Sequence, residues 1–298
     1  MNNEILDRYG LKINKCSLRK KVKIIDTNQG KYVIKKVRKN KKDIYDYLNT
    51  REFYNYPKIV NNFEDDIEIS DYIEDVDVPK EQKEEDLIYL IGLLHNKTSF
   101  YREMSLDEIK KNYENYNSSF YYLENYYLDL QNVIEKEEFM SPSNYLLIRN
   151  ISKIYYLLFL GKNYLEKWYL LVKEKKQFRY SLIHGNIDLD HLIESNSLYL
   201  ISWEKSRVDL PINDLYDFYK NNFRYIDFKR MIDIYRLKSN LDLDEELFLK
   251  MKLTLIDKIM LDRSEIATIE NVYNLIDYVN KTLDILKQDS KETTYNKQ

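Results

Sequence analysis

Glycine, proline and cysteine are all scarce in this chain. Its 298 residues include 5 glycines and 4 prolines, where average usage would supply roughly 21 and 15. Gly10, Gly30, Gly92, Gly161 and Gly185 stand at least 20 residues apart. That spacing excludes a GxGxxG dinucleotide turn, a GxxxxGK[ST] phosphate loop and the glycine-rich loop of an ordinary protein kinase, which all need close-set glycines. The single cysteine, Cys16, excludes an intrachain disulfide, a zinc ribbon and a CxxC redox pair. His95, His184 and His191 are the only histidines, and they do not form an HExxH zinc motif.

Neither sign of charge dominates. There are 47 basic and 50 acidic residues, net −3, mixed along the chain. An electrostatic nucleic-acid binder carries a basic excess, so no nucleic-acid partner is expected. The longest apolar runs, 87–94 and 154–160, fall well short of the roughly 20 residues of a membrane span. Residues 1–10 include Glu4 and Asp7 and no apolar stretch, unlike a secretory signal. The expected compartment is the cytoplasm. Tyrosine is abundant, at 29 residues against 11 phenylalanines and 2 tryptophans. Codon bias of an A/T-rich genome is the plain explanation, because the sequence does not gather the tyrosines into a binding platform.

What is present reads as two parts. Strand patterns occupy 11–18, 22–27 and 31–37, with Asn28-Gln29-Gly30 as a three-residue hairpin loop. A short charged helix is expected at 41–48, a strand at 58–62 after Pro57, and another at 67–73. An acidic linker, Glu74 to Asp77, ends at Pro79. From there the apolar period changes from two to about 3.6. Leu87, Ile88, Ile91 and Leu94 share a face. Ser105-x-x-Glu108 is a capping box opening a helix to about 139, and Ser141-Pro142 opens another to about 175. A strand-like insert spans 181–203, and helices resume after Pro211, with Asp242-x-x-Glu245 as a start signal. A final stripe runs through Ile266, Ile269, Val272, Ile276, Val279, Leu283 and Leu286. The expectation is an α+β chain of two lobes with a ligand cleft between them. The β-rich lobe is 1–78, the helical lobe with its β-hairpin insert is 79–288, and 289–298 is a disordered tail.

The segment Ser181-Leu-Ile-His184-Gly185-Asn186-Ile-Asp188-Leu-Asp190-His191 is followed by Leu-Ile-Ser202-Trp203-Glu204 and then Asp209-Leu-Pro211-Ile-Asn-Asp214-Leu215. Here the chain resembles the aminoglycoside phosphotransferase and choline kinase superfamily, a branch of the protein-kinase-like fold. Its pattern is H-G-D-x-x-x-x-N, then a hairpin ending I-D-[WF]-[DE], then D-x-P-x-x-D-L. The Leu-Leu-His-Asn-Lys-Thr stretch at 93–98 and the Tyr-, Lys- and Asn-rich style look most like spore-coat kinase-like proteins of low-GC Gram-positive bacteria.

The resemblance assigns roles residue by residue. The family's catalytic Asp, which orients the hydroxyl nucleophile and accepts its proton, is replaced by Asn186. The Asn that holds magnesium is replaced by His191, and the Asp that bridges metal to phosphates by Ser202. An amide is no base, and a neutral hydroxyl is a poor ligand for hard Mg²⁺. No glycine occurs in the phosphate-covering loop near 16–20. The positions that match are His184 and Gly185 in the loop, Trp203 and Glu204, and Asp214, which in the family holds the loop's backbone. Lys35 matches the phosphate-contacting lysine of the third strand, with Lys36 as a rival on the opposite face. Asp43 and Asp46 could pair with Lys35 or simply form a solvated helix face. Asp188, Asp190 or Glu204 could supply a displaced carboxylate.

Two functions follow. One is a pseudokinase, a binding or scaffolding component with an unidentified protein or small-molecule partner and no cofactor, in a spore-coat or envelope setting. The other is an active phosphotransferase that uses ATP and Mg²⁺ on a small hydroxylated substrate. Accidental likeness of an unrelated α+β protein is the plain alternative to both.

Overall fold

The β-branched runs at the start of the chain pair as antiparallel neighbours. In the computed structural model, which describes residues 9–19, 22–37, 41–60, 67–259 and 264–295, β1 (Ile13–Arg19), β2 (Val22–Thr27), β3 (Gly30–Lys36) and β4 (Ile67–Asp71) form one sheet in that order. Alternation sends Ile25, Ile34 and Ile69 to one face, where they bury with Leu11. Thr27 pairs with Gly30, so the hairpin loop is the two residues Asn28 and Gln29 rather than three. The reason is local: the Thr27 hydroxyl donates to the Gly30 carbonyl (2.8 Å) and accepts from the Gln29 N–H (3.1 Å). Gly30 takes a φ of +133°, which a side chain would resist.

α1 (Lys42–Thr50) buries Tyr45 and Leu48 and leaves Asp43 and Asp46 exposed. The strand expected at 58–62 shrinks to a bridge between Ile59 and Ser70; its last two residues lie outside the described ones. α2 (Lys80–Thr98) begins directly after Pro79. Its expected face is buried, and Leu90 and Gly92 are buried too. At its end the Thr98 hydroxyl donates to the Leu94 carbonyl (2.7 Å) and accepts from the Leu182 N–H (3.1 Å).

β6 (Gln177–Ile183) starts four residues before the expected insert. Residues 177–180 pair with β5 (Phe100–Glu103), and residues 181–183 pair with β9 (Arg207–Asp209). Between β6 and β9 lies the hairpin of β7 (Leu192–Glu194) and β8 (Leu198–Leu200). The chain divides into two compact units. The first combines Met1–Ser99, Ser181–Asp209 and Leu237–Ser239; the second combines Phe100–Tyr180, Leu210–Arg236 and Asn240–Gln298.

The second unit is built on α3 (Leu106–Ile134), α4 (Pro142–Lys175), α5 (Ile212–Asn222), α6 (Phe228–Arg236), α7 (Leu243–Thr254) and α8 (Glu265–Tyr295). Both capping boxes form, at Ser105/Glu108 and at Asp242/Glu245. Glu245 also receives a two-pronged pair from Arg179 at 2.8 and 2.9 Å, and both side chains are largely buried. Such forked contacts are among the stronger charged hydrogen bonds. α3 ends at Ile134, before the expected 139, and Phe139 is exposed. The α8 stripe is buried from Val272 to Leu286, but Ile266, in the first turn, is exposed. α8 continues to Tyr295, so most of the segment expected to be a disordered tail is helical. No described helix is long and apolar enough to cross a membrane.

Gly161 permits the close packing of α4. A Cβ there would collide with the Thr254 hydroxyl and lie 2.5 Å from Phe120 Cε1. Thr254 and Phe120 are themselves fully buried. We therefore predict that Gly161→Ala destabilises the protein by about 1–3 kcal/mol through overpacking. Thermal unfolding checks this, at roughly 2–4 °C per kcal/mol for a chain of this size class. An unchanged melting temperature would show that the contact relaxes without cost.

Candidate functional site

The loop after β6 folds around a glycine that nothing else can replace. Gly185 has a φ of +68°, and a Cβ would sit 2.5 Å from the Lys205 carbonyl oxygen. This places His184, which is fully buried, beneath the segment after β8. Its Nε2–H donates to the Ile201 carbonyl (2.9 Å). Its ring meets Trp203 edge-on, with centroids 5.0 Å apart. Trp203 in turn donates from Nε1 to the Leu200 carbonyl (3.0 Å) and packs edge-on against Phe53. The Ile201 N–H closes the circuit by donating to the His191 carbonyl (3.0 Å). The loop and the strand end are thus fastened by backbone groups and two buried aromatic side chains.

The positions that should carry chemistry serve the same fastening. His191 donates from Nδ1 to the Asn186 carbonyl (2.7 Å). Asp188 accepts the Asp190 N–H (2.8 Å), capping a single 3-10 turn. Ser202 adopts a left-handed conformation, φ +68°, a strained choice for a residue with a side chain. An amide, an imidazole and a hydroxyl are not the oxygen-rich anionic set that Mg²⁺ needs. Among the described residues, no three Asp, Glu, His or Cys side chains gather as a metal site. The donors present do not fit the family's magnesium. Asp214 is fully buried in the first turn of α5, within the second unit.

Lys35 is committed to a carboxylate. Its ammonium is ion-paired with Glu204 Oε1. The same oxygen lies 3.1 Å from Lys41 Nζ, which also reaches Glu68 Oε2 at 3.2 Å. Lys41 is only 3% exposed. Glu68 stands opposite Lys35 in the β3–β4 register and accepts the Tyr45 hydroxyl (3.4 Å). Burial pushes the Glu204 carboxyl up, but the Lys35 hydrogen bond and charge, with the Lys41 charge, hold it down to about 2. Burial, then Glu68 and Glu204, push the Tyr45 phenol far above its ordinary value. Lys36, the rival lysine, is exposed, as are Asp43 and Asp46, so the acidic residues of α1 form a solvated face.

A cavity of about 480 Å³ opens within the first unit beside this network. Lys35, Asp190 and Ser202 line it, with Trp203 and apolar walls from Val22 and Ile24. Asn186, Asp188 and Glu204 are not among its lining residues. Four carboxylates border it, Glu68, Asp71, Asp75 and Asp190, against the ammonium groups of Lys35 and Lys83. Sequence reasoning missed Lys41, Tyr45 and Glu68. Pairing 67–73 with 31–37 in register would have found Glu68; a lone lysine in so lysine-rich a chain offers no such signal.

Solved structures share this fold. An aminoglycoside phosphotransferase from Alicyclobacillus acidocaldarius matches 98% of this chain and 97% of its own, with a TM-score of 0.70 at 10% identity. Spectinomycin phosphotransferase matches 94% of this chain and 96% of its own in two states. Its AMP-bound complex gives a TM-score of 0.52 at 13% identity. Its complex with ADP and spectinomycin gives 0.50 at 14%. No protein-family model and no curated protein matches the sequence. The shared property is the fold: an α+β, protein-kinase-like fold of the aminoglycoside phosphotransferase kind, as the resemblance implied.

The charge network makes a pH prediction. The folded-state pKa of Glu204 lies below its ordinary 4.5. Its stabilisation is therefore complete above that value and lost as pH falls toward about 2. Urea unfolding of wild type and Glu204→Gln, from about pH 6 to about pH 2.5, should show wild type more stable at the upper end and the gap closing below about 4.5. A gap independent of pH would mean that the Glu204 charge contributes nothing.

Proposed function

We propose that the protein is a pseudokinase: a kinase-fold chain that does not transfer phosphate and acts as a binding or scaffolding component. The observation that carries this reading is the absence of a carboxylate at 186, 191 and 202, where the residues fasten the loop instead. Lys35 keeps a carboxylate partner, Glu204, beside these neutral positions. The rest agrees with it. The base position is an amide, and His191 spends a ring nitrogen on the Asn186 carbonyl. The cavity borders are acidic on balance, and without a metal such a lining repels a polyphosphate. A spore-coat or envelope setting is supported by composition and by the 93–98 stretch alone.

One observation favours the second reading, an ATP- and Mg²⁺-dependent phosphotransferase. Asp190 lines the same cavity as Lys35, so it is the displaced carboxylate best placed for such a role. Asp188 is occupied by its own turn, and Glu204 by two lysines.

Calorimetry with ATP, with and without Mg²⁺, and a phosphate-transfer assay separate the readings. The expected result is no low-micromolar affinity and transfer at background. Asn186→Asp combined with His191→Asn and Ser202→Asp should not create transfer, because the loop near 16–20 still has no glycine to cover phosphates. Tight Mg-ATP binding abolished by a chelator, or transfer that disappears in Asp190→Ala, would replace the pseudokinase with an active enzyme.

A further inference from the structure

A carboxyl group lies buried where the linker before α2 meets the β7–β8 hairpin. Glu194, the last residue of β7, is 5% exposed, and its Oε1 has no hydrogen-bond partner among the described residues. Its backbone fastens the linker. The Val76 N–H donates to the Glu194 carbonyl (2.8 Å), and the Glu194 N–H donates to Asp75 Oδ1 (2.8 Å). The other oxygen of Asp75 holds Lys83 of α2 at 2.9 Å. Asp75, Val76, Lys83 and Glu194 all belong to the first unit.

Three carboxylates share one ammonium here. The charged groups that face Glu194 are Asp75 from the linker and Asp86 and Lys83 from α2. Lys83 is already committed to Asp75. A buried, ionised carboxylate with neither a cation nor a donor of its own is costly. A proton removes the charge and turns one carboxylate oxygen into a hydroxyl. Burial first, then Asp86 and Asp75, push the Glu194 carboxyl above its ordinary 4.5, against the opposing pull of Lys83.

The linker has little else to hold it. Residues 72–79 form no helix or strand, and 74–77 are exposed. It is also part of the candidate site, because Ile73, Asp75 and Lys83 line the 480 Å³ cavity together with Leu192 and Ile193 of β7. We propose that Glu194 is a proton-operated latch for this cavity wall. Protonated, it lets β7 hold Asp75 and Val76 through the two backbone hydrogen bonds. Ionised, by release of one proton to water, it sets a third negative charge beside Asp75 and Asp86, and the linker parts from β7 so that water reaches the carboxylate. The direction follows from linkage. With the linker open the carboxyl titrates near its ordinary 4.5, and with the linker closed it titrates higher. The closed linker is therefore favoured most below 4.5 and loses that advantage as pH rises from there to the raised value. The latch regulates the wall of the site whether or not the chain transfers phosphate.

Hydrogen exchange on the full chain tests this, read by mass spectrometry at about pH 5, about pH 6.5 and about pH 8 and corrected for the intrinsic exchange rate at each. In wild type, the protection of peptides carrying the Val76 and Glu194 amides should fall by about tenfold across that range. The β2–β3 hairpin should keep its protection. Glu194→Gln, which keeps the shape and cannot ionise, should hold the low-pH protection throughout. Asp86→Asn leaves Glu194 in place and removes one facing negative charge, so it should make the fall smaller. Three results would overturn the proposal: protection independent of pH in wild type, an equal fall in Glu194→Gln, which would assign the effect to a histidine, or an undiminished fall in Asp86→Asn.

Discussion

One carboxylate can hold two lysine ammonium groups at once and so tie together the elements that carry them. In this protein Glu204 claims Lys35, and much of the first unit is arranged around that pair. Lys41 is buried because Glu204 and Glu68 compensate its charge; unpaired, an ammonium so buried would be expensive. Glu68 is in reach because the β3–β4 register sets it opposite Lys35. Tyr45, on α1, adds its hydroxyl to Glu68. One network therefore ties the sheet and α1 to the segment after β8. Removing Glu68 or Glu204 would leave Lys41, which is 3% exposed, with one carboxylate instead of two.

Local rules made much of the fold readable. Capping boxes mark helix starts because orphan N–H groups need acceptors, and both boxes form where the sequence puts them. Pro79 and Pro142 open α2 and α4 for the matching reason, since a proline lacks the N–H that would be orphaned there. Less legible were features set by distant partners. β6 begins at Gln177 because β5 pairs with that stretch, and nothing within 177–180 announces it. That Ser181–Asp209 joins the same compact unit as residues 1–99 is likewise invisible in a linear division. In the site, the neutral residues at 186, 191 and 202 could be read directly. That His191 binds the Asn186 carbonyl could not, because it depends on the left-handed turn at Gly185.

The tyrosine excess gains a structural meaning without losing its compositional origin. A buried phenol needs a partner for its hydroxyl. Tyr47 donates to the Thr98 carbonyl (3.1 Å), and Tyr126, Tyr127 and Tyr278 serve carbonyls around the 255–259 connector. These carbonyls lie at helix ends or in connectors, where backbone acceptors lack helical partners. With few glycines and prolines to make tight, standard turns, the chain uses side-chain hydroxyls to satisfy irregular backbone. A substitution to phenylalanine at such a position keeps the packing and orphans a carbonyl, so the two contributions are separable.

Loop geometry and loop chemistry rest on different atoms. Gly185, His184, Trp203 and the Ile201 and His191 carbonyls hold the shape with neutral groups and backbone hydrogen bonds. None of these contacts requires a charge at 186, 191 or 202. Carboxylates at 186 and 202 would repel one another without a metal; the amide and hydroxyl there do not, and His191 stands where the family pattern has an asparagine. The fold has no need of the metal to neutralise them. Lys35 is ion-paired with Glu204 beside these neutral positions. The shape of the loop is therefore independent of phosphotransfer, because the interactions that hold it are not the ones that would perform the chemistry.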